Sequence, residues 1–353
     1  MKLTRHTTLD RKSALAFEAG PAAFIVEARP VIVTVLLLIV TVVLATMAMT
    51  FGRIPLAPAD IVAIVLGQGP GGSANQVVMN VRLPRVLTGL FVGAALGASG
   101  AVFQSVSRNA LGSPDVIGFT TGAAAGALTQ IVLFGGGPAA VTLSAIGGGI
   151  ATAILVYLLS IKDGASGSYR LVLTGIGVGA VLAAFNGLLL VKGDLDDAIA
   201  ANLWLAGSLD TRNWFHVYPV LLGCLILLPI AGWLARPLSM MEMGDDIARQ
   251  LGIPVERTRL FAMICAVLLA SLATGSAGPV AFVALAAPQL VRRLSGSKSV
   301  PVLSGAAMGA CLLVLADLIS QATPFHIVIP IGRMTGLIGG LYLAWLLTRS
   351  QRL

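Results

Sequence analysis

The sequence predicts an all-α, polytopic membrane protein of about ten transmembrane helices. Composition is the first reason: of 353 residues, 57% are hydrophobic and 11% charged, whereas a soluble domain has about 25% charged residues. The mean hydropathy of +0.93 agrees. The 41 glycines are the second reason, because small residues let membrane helices approach closely.

Apolar runs set the number of crossings. About 20 apolar residues are enough to cross a hydrocarbon core of about 30 Å. Some runs are shorter, and segment 277–282 is broken by glycine and proline. The predicted spans are 31–51, 86–104, 117–134, 139–159, 171–191, 217–234, 260–277, 280–294, 302–319 and 335–347.

The distribution of basic residues predicts the orientation. Ten spans place both termini on one side, and seventeen of the 23 lysines and arginines then share that side, against six on the other. Basic residues are enriched in cytoplasmic loops. We therefore predict a cell (inner or plasma) membrane protein with cytoplasmic termini.

Two regions follow from this division. Residues 31–353 form the transmembrane permease domain, and we expect the first span to be retained, not cleaved as a signal peptide. Residues 1–30 are basic and polar. We predict a cytoplasmic tail without regular structure, attracted to anionic headgroups.

A polar stretch at 236–259, here called the elbow, interrupts the apolar chain. Gly244 or Asp245 supplies the N-terminal cap of a short helix, and acids in its first turn suit the helix dipole. Gly252 ends that helix and Pro254 starts the next. A solvated connector is the simpler alternative. The helix would carry an apolar strip made of Ile247, Ala248 and Leu251.

No motif for catalysis is present in the sequence. No Gly-Lys pair occurs, so a Walker A loop is absent and any ATP must be hydrolysed on another chain. Cys224, Cys265 and Cys311 lack paired spacing, so we predict neither a disulfide nor a metal site, and no cofactor. Asp317 is the one charge well inside a span, which makes it a functional candidate; because it lies near the outer end of its span, a local hydrogen bond or a snorkelled position is the simpler account.

Several ordered motifs resemble one known family. The run RLPRVLTGLFVGAALGASGAVFQSVSRNALGSPDVIGFTTGAAAGA at 82–127 is similar to spans two and three of the iron-siderophore and vitamin B12 importer permeases, which are ABC transporters. Four details resemble, within that family, one half of the ferric enterobactin permease pair: LGSPDV with GF after it, EMGDD with VERTR downstream, Gln321 where many relatives have arginine, and GGLYL near the end. Further matches are WLAGSL at 204–209, MGDDIARQLG at 243–252, AGPVAFVALAAPQLVRRLSG at 277–296, Ala-Asp at 316–317 and PIG at 330–332.

The resemblance implies a B12-permease-like (type II ABC importer) fold and a set of partners. These are a second permease subunit, a paralogue more than a copy of this chain, two cytoplasmic ABC ATPases, and a periplasmic or lipid-anchored binding protein. The cargo would be a catecholate, enterobactin-like ferric siderophore, imported by alternating access; no nucleic acid is expected. A cobalamin or haem permease, or a stand-alone secondary transporter, remains an alternative.

The resemblance also implies site residues. Arg82 and Arg85 match arginines that dock the binding protein, although they could instead anchor a helix end at the headgroups. Arg333 could replace a third docking arginine, which here is Gln321. The elbow matches the helices that couple to the ATPase. Its candidates are Ile247 and Leu251 as apolar plugs, and Asp245, Asp246, Arg249, Gln250 and Gly252 around them.

The fifth span is expected to line the translocation path, through Asn186, Gly175 and Gly179. The two glycines could equally serve helix packing. Two further positions depart from the family pattern: Gln289 stands where many relatives have histidine, and Val328 where many have glutamate. The resemblance implies no consequence for either.

Overall fold

The computed structural model describes residues 2–7, 13–19, 22–52, 56–69, 71–162, 165–166, 168–297, 299–322 and 329–350. Its helices are α1 (Ala28–Thr50), α2 (Pro58–Val65), α3 (Gly72–Val77), α4 (Leu83–Ser107), α5 (Phe119–Phe134), α6 (Pro138–Ser160), α7 (Ser168–Lys192), α8 (Leu195–Leu205), α9 (Trp214–Met241), α10 (Asp245–Gln250), α11 (Val255–Ala277), α12 (Val283–Ser295), α13 (Val302–Gln321) and α14 (Ile331–Ser350). A π-helical turn, Val78–Arg82, joins α3 to α4.

Each predicted span coincides with a helix, so the all-α, polytopic prediction is confirmed. Seven helical segments in the described residues are long and apolar enough to cross a membrane. Helices α5 and α12 are shorter, at 16 and 13 residues. The break between α11 and α12 lies where the sequence predicts it. The helical backbone is interrupted there, since Gly278 and Phe282 both have positive φ.

In the part of the chain that the structure describes, strands occur in two places. Strands β1 (Lys2–Thr7), β2 (Ser13–Ala19) and β3 (Ala22–Glu27) form an antiparallel sheet in that order. They occupy the tail for which the sequence predicts no regular structure. Strands β4 (Ile161–Lys162) and β5 (Ala165–Ser166) form a minimal hairpin between α6 and α7.

Helix α4 is the centre of the bundle and packs against α9, α11, α12 and α13. Its contact with α13 is a contact between backbones: a Cβ atom at Gly97 would overlap the carbonyl oxygen of Gly305, and one at Gly93 would overlap that of Gly309. Small residues at this spacing are how membrane helices gain close packing without a hydrophobic driving force. The glycines of α4 therefore serve the core.

The 25 residues of α4 span about 37 Å and connect two polar clusters. Arg85 lies in the first turn of the helix and contacts Asp317 of α13. Arg108 follows its last residue and lies 3.7 Å from Asp245 of the elbow. We call these the Arg85 end and the elbow end of the bundle.

Candidate functional site

The elbow is a short helix held between two well-formed turns. Gly244, with φ of 123°, precedes α10 as its N-cap. After α10 the backbone N–H of Gly252 donates to Arg249 O, and that of Ile253 donates to Ala248 O, both at 3.0 Å. These two bonds and the positive φ of Gly252 form a Schellman motif. The predicted glycine stop is present.

The start of α11 differs by one residue from the prediction. Pro254 is the residue before the helix, and Val255 begins it. The ψ of Pro254 is 79°, outside the helical range, so proline here caps the helix from outside.

The apolar strip of the elbow divides between interior and surface. Ala248 is fully buried, whereas Ile247 and Leu251 are 44% and 58% exposed. Met243, just before the helix, is 65% exposed. Adjacent exposed apolar side chains on a polar segment are a candidate docking surface, and coupling to an ATPase stays a prediction for them.

Ion pairs within the elbow hold the short helix α10 against the start of α11. Arg259 on α11 is buried and donates to Asp245 and to Glu256, each at 2.8 Å. Asp245 is therefore engaged within the chain. Asp246 and Arg249 are exposed and pair with each other at 2.9 Å. Gln250 and Gly252 are exposed too. Of the predicted coupling residues, all except Asp245 lie mainly at the surface.

Helix α12 is joined to the same end of the bundle by two polar contacts. Arg292 donates to Glu242 at 2.7 Å. Gln289, one of the departures from the family pattern, donates to the carbonyl oxygen of Ala110 at 2.7 Å and so links α12 to the turn after α4. Val328, the other departure, lies outside the described residues.

At the other end of α4, Arg85 is surrounded by carboxylates. Its guanidinium contacts Asp210, and it donates to Asp317 at 2.8 Å. Gln321 donates to the second oxygen of Asp317, also at 2.8 Å. The side chain of Asp317 is 3% exposed, so the predicted local hydrogen bonding is present, and in the form of an ion pair.

The two other predicted docking arginines differ in exposure. Arg82 is 8% exposed and donates to Met49 O at 2.6 Å, at the C-terminal end of α1, where a cation suits the helix dipole. Arg333, near the start of α14, is exposed, and it has no ion pair with any residue that the structure describes. Docking stays a prediction for Arg82, Arg85 and Arg333.

The predicted path residues of α7 are in packing contacts. A Cβ atom at Gly175 would lie 2.6 Å from the carbonyl oxygen of Ile117, and one at Gly179 would lie 3.2 Å from the Cα of Gly118. Asn186 is 7% exposed and donates to Thr121 O at 3.2 Å. These contacts support the packing role that the sequence left open, and lining of a path stays a prediction.

Two groups were not identified from the sequence as site residues. Asp210 follows the WLAGSL motif directly, and Arg259 ends the elbow. Neither charge lies inside an apolar run, and each pairs with a residue that only the fold brings near: Asp210 with Arg85, and Arg259 with Asp245. Across the described ranges, no group of three or more His, Cys, Asp or Glu residues could hold a metal.

Arg212 lies in the turn between α8 and α9. Burial lowers the pKa of Arg212, and the nearby Asp210 carboxylate opposes that shift. The guanidinium stays charged at neutral pH because arginine starts from so high a pKa. Arg212 also donates to Ser208 O at 3.0 Å, which fixes the turn.

Comparison with known proteins agrees with this architecture. Residues 37–349 match the FecCD transport family. The chain is 44% identical to the ferric enterobactin transport system permease protein FepG of Escherichia coli, over 92% of this chain and 98% of that protein. It is 34% identical to the iron(3+)-hydroxamate import system permease protein FhuG of Bacillus subtilis, over 92% and 98%.

Among solved structures, an inward-facing metal-chelate type ABC transporter superposes with a TM-score of 0.76 and 29% sequence identity. The superposition covers 91% of this chain and 99% of that one. Sequence similarity and the shared fold thus each cover more than nine tenths of this chain. The chain is a multi-pass membrane transport protein and belongs to the FecCD transport family.

Proposed function

We propose that this chain is the transmembrane permease subunit of an ATP-driven importer that carries a ferric siderophore into the cytoplasm. The observation that carries the proposal is the elbow: a short helix, held by a buried ion pair, that presents Ile247 and Leu251 at the surface. A rigid helix with apolar side chains fits a groove on a partner protein. That partner would be the ATPase.

The proposed energy source is ATP hydrolysis on other chains. Because it contains no Walker A loop, ATP would be hydrolysed by two separate cytoplasmic ATPases. Their closure would move the elbow, and helices α4 and α11 would carry the movement across the bundle through Arg108 and Arg259. Alternating access requires such a connection between the two ends.

The other partners are proposed from similarity. A siderophore cargo is supported by the names of the relatives, which transport ferric enterobactin and iron(3+)-hydroxamate. The second permease subunit would be a paralogue, and the path would run between the subunits beside α7. A binding protein would deliver the cargo at the Arg85 end, where Arg333 is exposed. Both termini and the elbow would then be cytoplasmic.

Reconstitution tests the proposal. The chain, its paralogue, the ATPases and the binding protein are assembled in proteoliposomes, and uptake of iron-55 bound to enterobactin is compared with uptake of cobalamin and haem. We expect uptake of the ferric siderophore only with ATP. Preferential uptake of haem or cobalamin would assign a different cargo, and ion-driven uptake without any ATPase would refute the ABC assignment.

A further inference from the structure

An apolar groove lies between α6 and α11 on the outer surface of the bundle. Its walls include Ile154 and Leu158 of α6, and Leu260 and Ile264 of α11. We propose that this groove holds one acyl chain of an anionic phospholipid, whose phosphate is bound by Arg257. The inference does not rest on the proposed import function.

The groove opens at the elbow end because α6 and α11 run antiparallel. A Cβ atom at Gly275, near the end of α11, would touch Thr142, near the start of α6. One at Gly149, farther along α6, would touch Ser271, which is earlier in α11. The last turns of α6 therefore lie beside the first turns of α11, next to the elbow.

The length of the groove matches one leaflet of a membrane. Its walls extend over residues 150–158 and 260–268, which is about 12 Å of helix on each side. Half of a hydrocarbon core of about 30 Å is about 15 Å. The groove thus covers the leaflet at the elbow end and stops near the middle of the bundle.

Arg257 lies in the first turn of α11, on the helix face that forms the groove. Leu260, Ile264 and Leu268 of the groove wall follow it at i+3, i+7 and i+11, so the four residues form one stripe along the helix. Side chains of a helix point toward its N-terminus. The guanidinium of Arg257 is therefore directed to the level of the headgroups, with its stem beside the groove.

The charge of Arg257 is available to a ligand. The side chain is exposed, and within the described ranges it has no ion pair. The neighbouring acid, Glu256, is engaged by Arg259 at 2.8 Å and lies 3.8 Å from Arg249. A free guanidinium at the headgroup level is suited to a phosphate, with which it forms two parallel hydrogen bonds.

The charges around this end of the groove favour an anion. The connection from α6 to α7, residues 161–170, contains Lys162 and Arg170 against one acid, Asp163. Basic groups between membrane helices at the headgroup level are typical of sites for anionic lipids. The elbow adds no excess of acid, since its pairs balance: Arg108, Arg249 and Arg259 with Asp245, Asp246 and Glu256.

The groove decides between a lipid and other anionic ligands. A carboxylate of an ATPase could pair with Arg257, but it would leave the apolar groove beyond it empty. A phospholipid joins an anionic phosphate to a long apolar chain, and burial of that chain contributes about 0.8 kcal/mol for each CH₂ group. One such molecule therefore satisfies both the arginine and the groove.

Lipid binding to the purified full chain tests the proposal. The chain is delipidated in detergent and titrated with phosphatidylglycerol or with phosphatidylcholine of the same acyl chains, and native mass spectrometry counts the bound lipids. Arg257→Gln removes the charge, and Ile264→Trp fills the groove. Their matched controls are Lys192→Gln, at an exposed charge of the other end, and Leu225→Trp, at a position of α9 that is also exposed.

The unsubstituted chain should bind one phosphatidylglycerol at least fivefold more tightly than phosphatidylcholine. Arg257→Gln should abolish that preference, because it removes the group that binds the phosphate. Ile264→Trp should lower the affinity for phosphatidylglycerol at least fivefold, because the indole occupies the place of the acyl chain. Each control should change that affinity less than twofold.

Three outcomes would overturn the proposal. The first is equal affinity of the unsubstituted chain for the two lipids, and the second is an unchanged preference in Arg257→Gln, which would leave the arginine to another partner such as the ATPase. The third is normal binding by Ile264→Trp, since the acyl chain would then lie elsewhere. Binding is measured without cargo, so absent siderophore uptake by the assembled complex would count against the proposed function alone.

Discussion

At the scale of single residues, Leu251 decides whether the elbow is a docking surface or a solvated connector. It is 58% exposed beside Ile247. Burying a leucine against a partner contributes about 2 kcal/mol. An apolar side chain of this size is therefore a candidate for the centre of the proposed contact, and the exposed Asp246 and Arg249 would form its polar rim.

We expect Leu251→Asp to uncouple ATP hydrolysis from transport. The change removes the apolar contact and adds a charge to an apolar groove, without disturbing the buried side of α10. The measurement is uptake per ATP hydrolysed in proteoliposomes, which should fall at least tenfold. Leu66→Asp is the matched control, because Leu66 is also an exposed residue that ends a short helix, at the end of α2. Full coupling in Leu251→Asp would remove the elbow from the mechanism.

Local sequence patterns identified the exposed residues of the candidate site better than they identified its buried ion pairs. A charge within an apolar run is conspicuous, so Asp317 was identified. Its partner Arg85 is 232 positions away, and no local pattern connects the two. Asp245 was interpreted as a surface contact for a similar reason: its partner Arg259 is separated from it by a turn and part of α11, so only the fold reveals the pair.

At the scale of elements, the end of α10 depends on the left-handed backbone of Gly252. Its φ is +83° and a Cβ atom there would meet nothing within 4 Å. Gly252→Ala should therefore destabilise the chain by about 1 kcal/mol, through backbone strain alone. Gly252→Asn should lose less, because asparagine adopts this conformation more readily. Unfolding midpoints in detergent measure both.

The control for that comparison is Gly336→Ala, in α14, where space is open and φ is not positive. It should not lower the midpoint. If Gly252→Ala and Gly252→Asn lower the unfolding midpoint equally, the left-handed backbone of the Schellman motif is not the reason that glycine is needed at this position.

The contact between α4 and α13 predicts a larger effect. Gly97→Val would place side-chain atoms where the carbonyl oxygen of Gly305 lies, and backbone cannot yield as a side chain can. We expect loss of folded protein, measured as the monodisperse fraction after extraction into detergent. Gly187→Val on α7, where nothing lies within 4 Å, should extract normally. Normal yield of Gly97→Val would mean that the two helices pack differently.

The sequence predicted the long apolar helices better than the short helices and the strands. The ten long runs each gave a helix, since hydropathy and length decide a crossing. Helices α2, α3 and α8 were not predicted, because they have only 8, 6 and 11 residues and lie outside the long apolar runs; the π-helical turn after α3 was not predicted either. The sheet of β1 to β3 was missed because the tail has no sustained alternation of polar and apolar residues.

At the scale of the whole molecule, the mechanism requires the elbow and the Arg85 end to face opposite sides of the membrane. Helix α4 places the two about 37 Å apart. Positive residues predict that the elbow is cytoplasmic. This orientation is what allows one end to meet an ATPase and the other a binding protein.

Thiol labelling tests the orientation. Cys224, Cys265 and Cys311 are buried, so the unsubstituted chain should react little with a membrane-impermeant maleimide. Met243→Cys at the elbow and Leu66→Cys near the Arg85 end introduce exposed thiols, at positions that are 65% and 69% exposed.

In right-side-out vesicles Leu66→Cys should label and Met243→Cys should not; in inside-out vesicles the two should exchange. Adding the ATPases should then protect Met243→Cys alone. Labelling of Met243→Cys in right-side-out vesicles would place the elbow beyond reach of any cytoplasmic ATPase, and the proposed coupling would fail with it.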